Sequence, residues 1–316
     1  MRCASTRVRA EASTSSPSSG ANKQVLRLVH RGRDVRLVGT MHYNPRSIEL
    51  SASTVRELAS KDALGALVLE TCPKRWEKTL KFQPKDSIMR RILDNEFQAS
   101  AEEAEANGAE IVLGDQKIED LGDNLKSLEK ETIADVLWLP RAVNGGWARY
   151  YEDVRDAVRR EINARDDTAV TSPWEFFDAS LLLNVPVSLI RYPLAWLLKS
   201  PTLIVPLVTF TATLAALPDA VESITDTAQQ SAAETFVTDL FLTLDFLQIS
   251  LLTRCFLVAL LRDRNDILAE SISSACDRVP PNGSVVAILG AAHLNGVHRR
   301  LLDDDSFLDR AAAPER

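Results

Sequence analysis

Hydrophobic and polar positions along this chain fall into two regimes. From Gln24 to Asp115, short apolar runs alternate with amphipathic stretches. "QVLRLVH" and "VRLVGT" flank the turn "RGRD", Arg31–Asp34, and predict a β-hairpin. Beyond His42, Asn44 is placed to cap a helix and Pro45 to open it, with apolar residues following at Ile48, Val55 and Leu58. "ALGALVLE", residues 63–70, predicts a short strand ending in Glu70. Helices are expected near 74–82 and across roughly 86–107. Gly108 stops the second of these, and "AEIVLGD" predicts a strand ending in Gly114-Asp115. Strands alternating with helices in this way specify a largely parallel sheet covered by helices.

From about 117 to 280 the pattern turns helical. Residues 146–166 are polar and charged, so a solvated helix or loop is expected there. Between Lys199 and Asp219 lie 19 residues without charge, "SPTLIVPLVTFTATLAALP". That approaches the length of a membrane-spanning helix, although Pro201, Pro206 and Pro218 interrupt it. Arg191, Tyr192, Trp196 and Lys199 flank it with the residue types of a membrane interface. Residues 180–218 therefore read either as a membrane-associated segment or as a helical hairpin buried in a cap. Residues 233–262 read as a core or interface helix, because Asp239, Asp245 and Arg254 interrupt its apolar positions. Pro280, Pro281 and Gly283 break the chain, "SVVAILGAAH" is the last strand, and "LNGVHRRLL" opens a closing helix.

The expected fold class is α/β: a mixed, largely parallel sheet flanked by helices. Four strands end in polar groups, and a long helical insertion separates the third of these from the last. The expected segments are 25–130 and 251–305 for the α/β domain, 131–250 for the insertion and 306–316 for a polar tail.

Composition narrows the partners. A net charge of −7 over 316 residues argues against a broad nucleic-acid surface. Cys3, Cys72, Cys255 and Cys276 show neither metal nor disulfide spacing, which suits a reducing compartment. Residues 1–24 are rich in Ser, Thr, Ala and Arg, and Glu11 is their only acid. They predict an organellar transit peptide, for a chloroplast ahead of a mitochondrion, or else an unspecific disordered tail.

Chemistry enters at the strand ends. Gly39-Thr40-Met41-His42 closes one strand, and Gly290-Ala291-Ala292-His293 closes the last. The chain has only four histidines, and two stand in this repeated motif. In open α/β sheets, ligands bind beyond the C-terminal ends of parallel strands. His42, Glu70, Asp115 and His293 all fall there. Two imidazoles with two or three carboxylates form a donor set for a divalent metal, which would lower the pKa of a bound water. Each residue alone also reads blandly, as a strand-end histidine, a helix cap or a turn aspartate.

The order of these motifs resembles the TraB/PrgY/GumN family, which is related to the Tiki metalloproteases. The resemblance covers roughly 25–130 and 255–303. It rests on "VGTMHYNPRSIE", "LVLETCPKRW" with Glu70 and Arg75, and "DNEFQASAEEA" with Asn95 in place of Gly and Glu96 retained. It also rests on "LGDQKIEDL" with Gln116 in place of Arg, "DRNDILAESI" with Asp263 in place of Glu, and "ILGAAHLNGV". It implies one cleft holding both histidines and the glutamates. His42, His293 and Glu70 would be metal ligands, for manganese, cobalt or zinc. Glu70 and Glu96 would share the roles of ligand and general base, in either order. Arg264 and Asn265 would polarise a carbonyl or stabilise an oxyanion, while Arg75 and Asp115 would contact substrate. Gln116 leaves Asp115 without a neighbouring partner. The implied activity is that of a metal-dependent, peptidase-like hydrolase on a peptide or protein substrate. A second expectation is a membrane-associated regulatory protein that binds a peptide or small ligand in the same pocket without cleaving it. Assembly into a homo-oligomer is compatible with either.

Overall fold

The computed structural model describes residues 23–163, 169–199 and 232–312, together with positions 205, 208, 209 and 212. Residues 1–22 of the segment 1–24 read as a transit peptide, and most of the uncharged stretch 200–218, fall outside the described residues.

Strands β1 (Val25–His30) and β2 (Arg33–Thr40) form the expected hairpin. Arg31 and Gly32 both carry positive φ at its turn, which matches the twist of the paired strands. Helix α1 (Pro45–Ala59) follows, capped by the Asn44 side chain accepting from the Arg46 N–H at 2.9 Å. Then come β3 (Leu64–Leu69), α2 (Pro73–Phe82), α3 (Glu96–Ala106) and β4 (Glu110–Leu113). The helical region runs through α4 (Ile118–Val136), α5 (Trp147–Ala157), α6 (Val185–Lys199), α7 (Ala232–Arg254) and α8 (Asp263–Arg278). Strand β5 (Ser284–Gly290) and α9 (Leu294–Ala312) close the fold.

The sheet has five strands in the order β1-β2-β5-β3-β4. Only β1 is antiparallel; β2, β5, β3 and β4 run parallel. The last strand thus inserts at the centre, and every residue of β5 is buried. One sheet face packs on α8 and α9 through Leu268, Ile272, Leu294 and Leu301. The other packs on α1 and α3 through Val55, Leu58, Ala101 and Ala104. A separate small core joins α4, α5 and the stretch after α7 through Leu128, Ala157, Val258 and Leu261.

Three sequence expectations change. The helix expected across 86–107 is broken: a short helix at Ile88–Ile92 ends before Asn95, and α3 begins at Glu96. Asn95 takes an extended conformation (φ −142°, ψ 155°), and its side chain accepts from the Gln98 N–H at 3.0 Å. The closing helix continues through Ala312, where a polar tail was expected. Helix α4 crosses the expected boundary at 130/131, so no seam divides domain from insertion there.

Asn95 also donates to Gln83 at 3.0 Å and Gln98 at 2.7 Å. Replacing Asn95 with Ala removes the cap and should lower unfolding free energy by about 1–2 kcal/mol in urea titrations. Asn95→Gly retains the cap backbone and should cost less than Ala.

Candidate functional site

The parallel strands β2, β3 and β5 discharge their C-terminal ends at one edge, and the two Gly-x-x-His motifs meet there. Strands β2 and β5 are direct neighbours, with Gly39 opposite Leu289 and Thr40 opposite Gly290. Glu70 follows β3, the other neighbour of β5, and is 4% exposed. Its Oε2 accepts from the Gly290 N–H at 2.5 Å. Its Oε1 meets Arg264 Nη2 at 2.5 Å and His293 Nε2 at 3.1 Å. Burial would raise the Glu70 pKa, but the charges of His293 and Arg264 outweigh that and hold it well below the usual carboxylate range.

Gly290 lies close against the side chains of His42 and Glu70. A Cβ there would lie 3.2 Å from His42 Nε2 and 3.3 Å from Glu70 Oε2. His42 Nδ1 pairs with Glu96 Oε1 at 2.5 Å. The other Glu96 oxygen accepts from the Tyr43 N–H at 3.1 Å. Burial would lower the His42 pKa, yet Glu96 outweighs it and raises it. The break before α3 explains this contact, because it puts Glu96 in the first turn, 1% exposed and turned to His42. Tyr192 of α6 covers the imidazole, stacked at 5.6 Å and 11°.

The second histidine is oriented by a chain of obligate hydrogen-bond roles. Arg300 only donates, and its two Nη groups bond Glu161 at 2.8 and 2.9 Å. Glu161 therefore accepts, and takes Asn265 Nδ2 at 2.6 Å. Asn265 Oδ1 then faces His293 Nδ1 at 2.6 Å and must accept from it. With its δ nitrogen donating, His293 turns Nε2 to Glu70. That contact is either an imidazolium donating to a carboxylate or two lone pairs sharing a cation.

Asp115 is fully buried. It accepts from Arg264 Nε at 3.0 Å and Nη2 at 2.5 Å, from the Gln116 N–H at 2.7 Å, and from Arg75. Two roles implied for these residues are thus corrected. Asp115 has partners after all, from α8 and α2, and is too enclosed to meet substrate. Asn265 has no exposure and spends both ends of its amide on Glu161 and His293, so it is no oxyanion donor. Arg264 lines the cleft but is committed to Glu70 and Asp115, which raise its pKa against the opposing effect of burial. Arg75, His42, Glu70 and Glu96 line the cleft, whereas His293, expected in the same cleft, is not among its lining residues.

Sequence reasoning missed Glu161 and Arg300, and it read Tyr192 and Lys199 only as a membrane-interface flank. Glu161 lies in the stretch expected to be solvated, yet it has no exposure. Its only signal was an acid directly after two basic residues, "RREI", which is common on surfaces. The cleft encloses about 280 Å³, and Tyr43, Lys78, Thr79, Tyr192, Trp196 and Lys199 form its outer part.

The donor chemistry fits a divalent cation in kind. His293 Nε2 and Glu70 Oε1 are 3.1 Å apart, close to the roughly 3.3 Å between two donors on one tetrahedral ion. Both δ nitrogens are held by acceptors, as in the outer partners of ligating histidines. The spacing gathers two donors, with His42 Nε2 at the border; among the described residues no group of three or more His, Cys, Asp or Glu is arranged to hold a metal. The chain matches no protein-family model, no curated protein and no solved structure.

Two predictions follow from this geometry. A Cβ at Gly296 would lie 2.2 Å from both Asn265 Nδ2 and Glu161 Oε2. Gly→Ala inside a helix ordinarily stabilises by about 1 kcal/mol. Gly296→Ala should instead destabilise by about 1–3 kcal/mol in chemical denaturation and shift the His293 ring ¹⁵N resonances. The second concerns Lys199, whose pKa burial and Lys78 push down to about 8, with Glu96 opposing. A lysine depressed on folding binds its proton more weakly in the native state. Its charge therefore costs stability below about pH 8, and that cost fades as pH rises toward the unfolded value. The stability of wild type relative to Lys199→Met should rise with pH across this window.

Proposed function

We propose that this protein is a divalent-metal-dependent hydrolase, peptidase-like in its chemistry, of the TraB/PrgY/GumN kind. The observation that carries the reading is the hydrogen-bond chain from Arg300 to His293, which aims Nε2 at Glu70 beside the ε edge of His42. His42, His293 and Glu70 would hold the metal. When bound, such an ion lowers the pKa of water and polarises a carbonyl.

The protein's own groups divide the remaining work. Glu96 holds the His42 ring by Nδ1 and, through the Tyr43 N–H, fixes the loop that carries it. Asn265 and Glu161 hold the His293 ring. Arg264 keeps Glu70 anionic at the cleft floor and is itself anchored by Asp115. Tyr192 shields the His42 face from solvent. Arg75 remains partly exposed at the wall and would orient a substrate oxygen.

A second reading draws on a specific observation. Both Glu70 oxygens already have partners in Gly290, Arg264 and His293. A cleft so satisfied also suits a protein that binds a peptide or small ligand without turnover.

We further propose that either activity is exercised at a membrane surface. Helix α6 lays Tyr192, Ala195 and Lys199 on the cleft while exposing Leu189 and Ile190 on its outer side. Helix α7 exposes Phe236, Phe241 and Phe246. Among the described residues one helix, Asp239–Arg278, is long and apolar enough to cross a membrane by length and composition. Its later part packs into the domain through Leu268 and Ile272, which favours lying on a bilayer over spanning it. An organellar address would come from residues 1–24.

Metal content of the purified full-length protein, incubated with manganese, cobalt or zinc, tests the hydrolase reading. One divalent ion per chain is expected, lost in both His42→Ala and His293→Ala. Glu70→Gln should abolish peptide cleavage, by at least about 100-fold. A wild type that binds no divalent metal would remove the hydrolase reading and leave the binding protein.

A further inference from the structure

Charge is balanced at the floor of the cleft and unbalanced at its mouth. At the floor, Arg264 faces Glu70 and Asp115, and Arg75 faces Asp115. At the mouth, Lys199 ends α6 and lines the cleft beside Tyr43, Thr79 and Trp196. Its ammonium donates to Tyr43 Oη and to Thr79 Oγ1, each at 3.2 Å, and lies 5.9 Å from the Tyr43 ring centre. Both acceptors are neutral. Among the described residues no carboxylate stands within ion-pair distance of it.

Such an ammonium has one donor left over. It has three N–H groups, and two hydroxyls use two of them. A charge withdrawn from water without a counter-charge is costly, and the pKa displaced to about 8 reflects that cost. The two hydroxyls point to what is missing. Each accepts from Lys199, so each keeps its own proton for a further acceptor. Gln83 also stands in hydrogen-bond reach of the Tyr43 hydroxyl. Among the described residues none of the three remaining donors of this cluster, the third Lys199 N–H and the two hydroxyl protons, is given a negatively charged acceptor, and a group with more than one oxygen would supply it.

We propose that the mouth of the cleft is a carboxylate subsite formed by Lys199, Tyr43 and Thr79. Resting on the hydrolase reading, this names the substrate class as compounds that carry a free carboxylate close to the reacting carbonyl. Tyr43 adjoins His42 in sequence and its ring lies 6.1 Å from that of Tyr192, which covers His42. The separation between subsite and floor is therefore short. A cleft of about 280 Å³ suits a ligand of dipeptide size, and the carboxylate would be its C-terminus or an acidic side chain. A small organic acid shares the same chemistry.

Binding of N-acetyl-alanyl-alanine and of its C-terminal amide to the full chain, by calorimetry without added metal, tests the subsite. The acid should bind at least about tenfold tighter than the amide. That preference should vanish in Lys199→Met and largely persist in Lys199→Arg, with both variants shown to be folded by circular dichroism. The Lys199 side-chain ¹⁵N resonance should titrate at a higher pH when the acid is bound. Equal binding of acid and amide, a preference surviving in Lys199→Met, or no binding of the acid at millimolar concentration would overturn the proposal. Acetate competing as well as the peptide acid would identify a small organic acid as the ligand. Since neither metal nor turnover is needed, a carboxylate preference in a protein that cleaves nothing would keep the subsite and discard the hydrolase.

Discussion

A buried carboxylate governs this structure. Glu70 sits where the central strands end, almost without solvent, and an ionised group in that position must be met on every side. The backbone N–H of Gly290, the guanidinium of Arg264 and the imidazole of His293 meet it. These groups come from the end of β5, the start of α8 and the turn before α9. Satisfying the one side chain that follows β3 thus brings together segments 194 and 220 residues distant in sequence. Arg264 carries the requirement outward, since it binds Asp115 as well and so ties the end of β4 to the same cluster.

Much of this arrangement was legible in the sequence, and the reasons are local. The hairpin, the parallel strands and α1 declare themselves through alternating or continuous apolar runs and through capping residues such as Asn44. The repeated Gly-x-x-His placed two histidines at strand ends, and parallel pairing of β2 with β5 put those ends side by side. The break before Glu96 was hidden because "DNEFQASAEEA" continues a helical pattern. Only the Asn95 side chain, folding back on Gln98, shows where the new helix starts. Glu161 was hidden for a different reason. Its burial depends on Arg300 and Asn265, more than 100 residues away, and no periodicity reports such a partnership. The roles implied for Asp115 and Asn265 failed likewise: the residue types suited the chemistry, but their polar atoms are spent on neighbours.

The helical region is therefore part of the site as well as a cover for it. It supplies Glu161 beneath His293, Tyr192 above His42 and Lys199 at the cleft mouth. Helix α6 has two different faces, one of aromatic and charged groups against the cleft and one of exposed aliphatic residues. Whatever receives the outer face is separated from His42 by the width of a single helix.

The strand order has a consequence for how the protein is made. Strands β2 and β3 never touch; each pairs with β5, which leaves the ribosome after both of them and after the helical region. Until then the nascent sheet consists of two separate pairs, β1-β2 and β3-β4, each with an apolar edge awaiting a partner. The growing chain must hold those edges apart through the synthesis of some 170 residues, about 10–30 s at ordinary elongation rates. Chaperone demand should accordingly be concentrated in that interval and end when β5 slots between the waiting edges.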